Sequence, residues 1–361
     1  MEPNDMDNVH IECNDIGADF YKARFDCPMS EILKNRDRNV KEIVYPKGIP
    51  WNVVAPDRKL VMVQFNQFDC GGVALSTCVS HKVGDMCSMF KFIRDWAAIA
   101  RDSNFNIRPQ FIESSFFPPK NEPVNEPPRE QSVTKRLAFS NRTLKSFISE
   151  CSSSGSVKPT HVEMLTTLVY KCAMRANSSR LFRPSILFQT INLRPFIPLP
   201  EDAAGNFSSS LSLPTYVEEE MKLSRLVSEL RKGKEQLSDT YRKCKGNPQD
   251  LVCTTMRSFQ KIRDLFKDTD FDLYRCSSLA SYPFYSVDFG WGEPDKVISM
   301  VDYTLRNIFS LYDNKTGDHI EAQVSLDEER TMSAFLREME HLIEFQLVDE
   351  DSASCLLFNS K

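Results

Sequence analysis

One stretch decides how this chain can be organised. Residues 118–133 (PPKNEPVNEPPREQSV) carry five prolines and no apolar period. Proline fixes φ and removes a backbone donor, so such a run cannot lie inside a core helix or a central strand. It reads as an extended linker. The chain thus divides into residues 1–117, an N-terminal domain, a crossover at 118–133, and residues 134–361, a C-terminal domain. A length of 361 residues suits two domains, and 41% hydrophobic residues against 26% charged supply a core.

Local patterns fill in both halves. Leu60–Phe68 and Val73–Ser80 are apolar, β-rich runs around Asp69-Cys70-Gly71-Gly72, a hairpin signal. Alternation puts Val73, Leu75, Thr77 and Val79 on one face, and His81 would continue it. Next, Met86, Met89, Phe90, Ile93, Trp96, Ala97 and Ala100 recur at helical steps, with Asp85 where an N-cap belongs. Beyond the linker, a short strand is expected at Arg136–Phe139. Helices are expected from Pro159-Thr160 through Lys171, over Glu218–Leu237, Asp250–Phe266 and Glu328–Glu344. Further strands are expected at Ser185–Leu193, Asn307–Asp313 and Ile320–Leu326. This order mixes strands and helices without βαβ repetition, an α/β (α+β) chain.

Charge and cysteine usage exclude several classes. A net charge of −5 and pI ≈ 5.7 argue against a nucleic-acid-wrapping protein. No apolar run is long enough to cross a bilayer, and the polar, acidic opening residues resemble neither a signal nor a transit peptide. The 11 Cys include no CxxC spacing, so free thiols are expected rather than disulfides. Cys78, His81 and Cys87 lack a fourth ligand, and no metal is expected.

Two motifs bear on chemistry. His81 sits at a strand end four residues before Asp85, and an imidazole can take a proton from an attacking hydroxyl or amine. By spacing alone, a His packed under a turn beside a capping Asp is the favoured reading, because geometry decides a catalytic base. Asp288-Phe289-Gly290-Trp291-Gly292 bends sharply around a large ring. Its first three letters imitate a kinase motif, but no Gly-rich loop or HRD sequence accompanies them. The five residues read as a structural turn. No GxSxG nucleophile elbow occurs.

Together, His81-Lys82-Val83-Gly84-Asp85 and Asp288-Phe289-Gly290-Trp291-Gly292 change this reading. The chain resembles the plant BAHD acyltransferases, whose motifs are HxxxD and DFGWG. Cys13-Asn14-Asp15-Ile16-Gly17-Ala18, Phe68-Asp69-Cys70-Gly71-Gly72, Asn192-Leu193-Arg194-Pro195 and Gly205-Asn206 agree. The resemblance runs from about Val9 onward and leans toward the acylsugar, capsaicin-type and alkaloid acetyltransferase branch. It implies a two-domain, chloramphenicol-acetyltransferase-like architecture, with mixed sheets, flanking helices and a central channel. It implies an acyl-CoA-dependent O-acyltransferase using His81 as general base on a small-molecule acceptor, an acylsugar first. Acyl-CoA would be a co-substrate rather than a bound cofactor. Asp85 would orient structure by pairing with Arg194, and Asp288, Phe289, Gly290, Trp291 and Gly292 would be structural. The protein would be a cytoplasmic monomer without nucleic-acid or membrane partners. Family members begin with a further strand-and-helix segment. The expectation is therefore a shortened N-terminal domain, with the strand at Leu60–Phe68 short of a neighbour. The alternatives are a truncated non-catalytic paralogue, an N-acyltransferase or an alkaloid O-acetyltransferase.

Overall fold

The computed structural model describes residues 14–34, 43–46, 59–117, 132–152, 158–177, 182–267, 269–280, 282–297, 306–348 and 356–358. Cys13 and residues 118–131 of the proline-rich stretch lie outside them. The first half contains β1 (Asp19–Phe25), α1 (Met29–Lys34), β2 (Val61–Phe68), β3 (Val73–Val79), α2 (Met86–Arg101), β4 (Gln110–Phe111) and α3 (Glu113–Phe116). After the proline-rich stretch come β5 (Val133–Ser140), α4 (Asn141–Ser152), α5 (His161–Asn177), β6 (Ser185–Asn192), β7 (Ala203–Ala204) and β8 (Ser208–Thr215). They are followed by α6 (Leu223–Lys243), α7 (Pro248–Leu265), β9 (Asp272–Ser278), β10 (Lys296–Val297) and β11 (Ile308–Asp313). The last elements are β12 (His319–Leu326), α8 (Glu329–Glu340), β13 (Gln346–Val348) and β14 (Leu356–Phe358).

Two mixed sheets organise these elements. The first runs β1-β2-β3-β14-β10, and the second β13-β5-β12-β11-β9-β6-β8. Strand β2 pairs in parallel with β1 and antiparallel with β3. The strand expected to lack a neighbour is therefore flanked on both sides. Strands β10 and β14 come from beyond residue 134 yet close the far side of the first sheet, β14 pairing with β3.

The first sheet is covered on both faces, so its strands do not show simple inside–outside alternation. Val63 and Leu75 pack against Phe90, Ile93 and Ala97 of α2, together with Val287 and Phe289. On the other face Phe68 and Ala74 meet Met29 and Val44. Asn66, fully buried there, donates to the carbonyls of Val44 and Ala74 and accepts from Gln64. A buried amide is tolerated because its partners are supplied.

The larger core lies against the second sheet. Helix α5 is buried all round, and Leu165, Leu168, Val169 and Cys172 pack with Leu137, Phe139, Phe309, Val324, Met332 and Phe335. Thr160-His161-Val162-Glu163 starts α5 as a reciprocal capping box. Thr160 Oγ1 accepts from Glu163 N at 3.2 Å, and a Glu163 carboxylate oxygen accepts from Thr160 N at 2.9 Å. The sheet's opposite face is polar but buried, with Arg136, Ser310, Gln323 and Ser325 each at most 7% exposed. There Arg136 pairs with Glu321 and lies over the Tyr312 ring at 5.3 Å.

Candidate active site

The HxxxD segment folds as strand, turn and helix. Strand β3 stops at Val79; Ser80 N then bonds to Leu60 O, and Val83 N closes a turn onto Ser80 O at 2.9 Å. His81 therefore lies on an exposed turn and does not continue the face of Val73, Leu75, Thr77 and Val79. Asp85 N-caps α2, accepting from Ser88 N at 3.0 Å.

Asp85 does more than cap. Its second oxygen accepts from Arg194 Nη1 at 2.6 Å and from Phe207 N at 3.0 Å. The two side chains are 11% and 12% exposed, so this is a largely desolvated, charge-assisted contact. Arg194 Nη2 also reaches Ser88 Oγ at 2.9 Å and Gly205 O at 3.1 Å, with its guanidinium over the Phe207 ring at 4.9 Å. Asp85 and Arg194, 109 residues apart, are thus brought together where the first-sheet helix meets the loops around β7. Both oxygens of the Asp85 carboxylate face donors, while His81 stands exposed on the turn.

Two residues here were not among the expected site residues. Asn206 Nδ2 donates to the His81 carbonyl at 3.0 Å, and Glu113 Oε2 accepts from Asn206 N at 2.8 Å. Burial pushes the Glu113 carboxyl above its ordinary range, Asp85 adds to that, and the Asn206 N–H and Arg194 oppose it. Gly205-Asn206 gave a motif match, but Glu113 opens a single-turn helix in a segment without periodicity.

The DFGWG loop lies elsewhere, on the α2 face of the first sheet. Asp288 Oδ1 accepts from Gly290 N at 2.7 Å and Gly292 N at 2.9 Å, and both glycines have positive φ, +100° and +98°. A side chain at either position would be strained, which explains the two glycines. The Gly290 N–H, foremost, holds the Asp288 carboxyl below the usual range, and Arg101 stands 3.8 Å away. The ring that the loop buries is Phe289, 6% exposed and 5.0 Å from Trp96; Trp291 is 45% exposed and stacks on Phe289 at 5.4 Å. The turn was expected to bury a large ring, and Phe289 rather than the longer indole fills that place. Phe289 meets Trp96 of α2, Trp291 meets Phe65 of β2 at 5.6 Å, and Asp288 faces Arg101 at the end of α2.

Burial pushes the Cys78 thiol up to about 12, so it is held protonated and is a poor metal ligand. Among the described residues no cluster of three or more His, Cys, Asp or Glu could hold a metal ion, and no helix is long and apolar enough to cross a membrane.

A fold of two mixed sheets, with HxxxD at their junction and DFGWG on the first, defines a class that comparison with known proteins makes explicit. The model of the transferase family matches residues 2–342, and the chain belongs to that family, the BAHD acyltransferases. It is 37% identical over 353 residues to acyltransferase Pun1 of Capsicum frutescens, covering 94% of this chain and 78% of that protein. It is 34% identical to acylsugar acyltransferase 3 of Solanum lycopersicum, covering 88% and 75%. Among solved structures, vinorine synthase superposes with a TM-score of 0.74 at 24% identity, over 92% of this chain and 78% of the other. The architecture is thus the chloramphenicol-acetyltransferase-like one, and the protein is an acyltransferase.

Proposed function

We propose that the protein transfers an acyl group from acyl-CoA to a hydroxyl of a plant specialised metabolite, with His81 as general base. The observation that carries this reading is the division of labour within HxxxD. The Asp85 carboxylate is occupied by Arg194, Ser88 and Phe207, while His81 stands exposed at the junction of the two sheets. Asp85 and Arg194 then act as structural partners, and Asp288, Phe289, Gly290, Trp291 and Gly292 as a buttress beside α2.

In this mechanism His81 Nε2 accepts the hydroxyl proton as the oxygen attacks the thioester carbon. The tetrahedral intermediate carries an oxyanion and collapses to the ester. The C–S bond breaks, and the departing CoA thiolate recovers the proton from the imidazolium. Donor and acceptor meet at His81, so no acyl-enzyme is required. The division into residues 1–117 and 134–361 about the proline-rich crossover belongs to the same proposal, with β10 and β14 returning to the first sheet.

A sugar hydroxyl is the acceptor class proposed first, supported by the 34% identity to an acylsugar acyltransferase. Several acyl-CoAs assayed against sucrose, partially acylated sucrose, alkaloid alcohols and amines decide it. Ester formation on sugar acceptors is the expected result. Preferential turnover of an alkaloid alcohol or an amine replaces the acceptor class, and no turnover on any acceptor refutes the catalytic reading.

A further inference from the structure

The joint that brings Gly205–Phe207 against the HxxxD segment is clamped by groups from several parts of the chain. Ser88 Oγ donates to Gly205 O at 2.8 Å and accepts from Gly205 N at 3.0 Å. Phe207 N is bound by Asp85, and Phe207 O accepts from Leu193 N at 2.8 Å. Glu113 takes the remaining N–H, that of Asn206. It is delivered there by a short parallel ladder in which β4 pairs with β7, Gln110 N bonding to Asp202 O at 3.0 Å. Gly205 has φ +134°, and a Cβ there would stand 2.6 Å from Glu113 Oε2 and 2.7 Å from Glu113 Cβ. The Glu113 side chain therefore packs directly on bare backbone. Its carboxylate is half-buried, in a place that disfavours its charge.

A half-buried carboxylate at such a joint fixes geometry, because a charge-assisted bond to backbone N–H is short and strong. The geometry it fixes is that of Asn206. Asn206 is held at its backbone N–H by the Glu113 carboxylate, and its side-chain amide donates to the His81 carbonyl. His81 lies on a turn rather than in a ladder, so its backbone direction depends on contacts such as this one, made across 125 residues.

We infer that Glu113 is a positioning residue for His81, acting through Asn206. The inference rests on the reading of His81 as the general base. Misplacing a reacting group by about 1 Å can cost on the order of a hundredfold, so loss of one support of this turn is expected to lower kcat by about tenfold and to leave KM within about threefold.

The test compares full-length Glu113→Ala, Glu113→Gln, Asn206→Ala, the Glu113→Ala/Asn206→Ala double variant and His81→Ala. Turnover is measured with the acyl-CoA and acceptor that the wild type uses. The His81 imidazole NMR signal, assigned by its absence in His81→Ala, is followed in the same proteins. Expected are equal losses of kcat in the two alanine variants, no further loss in the double variant, a shifted His81 signal in each, and recovery of both readouts in Glu113→Gln, which keeps an acceptor oxygen. The positioning role is overturned if the alanine variants keep kcat within twofold with an unmoved His81 signal. It is equally overturned if Glu113→Gln fails like Glu113→Ala while melting no lower than wild type. Full turnover by His81→Ala removes the base reading and this inference with it. A dead His81→Ala beside an unaffected Glu113→Ala removes only the positioning role. The NMR readout decides the question of position even for a protein that turns over no acceptor.

Discussion

Substituting Asp85→Asn separates the cap from the ion pair. The wild-type carboxylate accepts three N–H bonds: Arg194 Nη1 at 2.6 Å, Phe207 N at 3.0 Å and Ser88 N at 3.0 Å. Asparagine keeps one oxygen, enough for the Ser88 cap, which is worth about 1 kcal/mol. Its amide NH2 then faces two donors, one of them a guanidinium whose side chain is 12% exposed. Leaving one member of a buried pair alone costs roughly 3–5 kcal/mol. Asp85→Asn should therefore lose about that much, and Asp85→Ala about 1 kcal/mol more, with the cap gone. Urea titration followed by tryptophan fluorescence suits the measurement, because Trp96 and Trp291 both pack about Phe289 in the first sheet's core. A cycle with Arg194→Met isolates the pair. The double variant should be less damaged than the sum of the singles by about 1–3 kcal/mol, as for residues in one network. Singles that add to within about 0.5 kcal/mol would refute a coupled pair, and a loss below about 1 kcal/mol in Asp85→Asn would show that Arg194 is solvated without its partner.

Turnover should fall by about a hundredfold or more in His81→Ala, with melting unchanged because the side chain is exposed; activity near wild type eliminates the base. For Glu163, burial pushes the carboxyl up, but the Arg231 guanidinium and the Thr160 N–H bring it net below its ordinary 4.5. Its contribution is thus present above pH 4.5 and lost as pH falls through the lower folded value. Glu163→Gln should lower the melting temperature at pH 7 and little near pH 3; an equal deficit at both would deny the ionic contribution. Glu113 has the opposite sign. Its folded value is raised by burial, so ionisation weakens the fold as pH rises past 4.5, and Glu113→Gln should melt higher than wild type at pH 7 but not at pH 3. A Gly205→Ala variant must place its methyl against Glu113 at a φ of +134°. A loss of about 1–3 kcal/mol is expected from denaturant unfolding, and wild-type stability would show that the loop is free to move.

Sequence alone determined what backbone sterics and local periodicity control. The Asp85 cap and the apolar stripe of α2 follow from side chains three or four residues apart, so a linear reading finds them. The glycines of the 288–292 loop likewise mark a backbone that needs positive φ. Several boundaries moved by three to six residues: β5 starts at Val133 rather than Arg136, α5 runs to Asn177 rather than Lys171, α8 stops at Glu340 rather than Glu344, and the helix expected from Glu218 is a short 3-10 turn followed by α6 from Leu223 to Lys243. Tertiary structure decided which distant segments meet. The return of 296–297 and 356–358 to the first sheet depends on ladder hydrogen bonds, which any backbone can make and no residue type announces. The same holds for Asp85 and Arg194, whose pairing entered the sequence reading only through a family likeness, and for Glu113, which nothing local distinguishes from a solvated surface carboxylate. Its place beside Asn206 is set by the β4–β7 ladder and by the absence of a side chain at Gly205, two facts that exist only after the chain has folded.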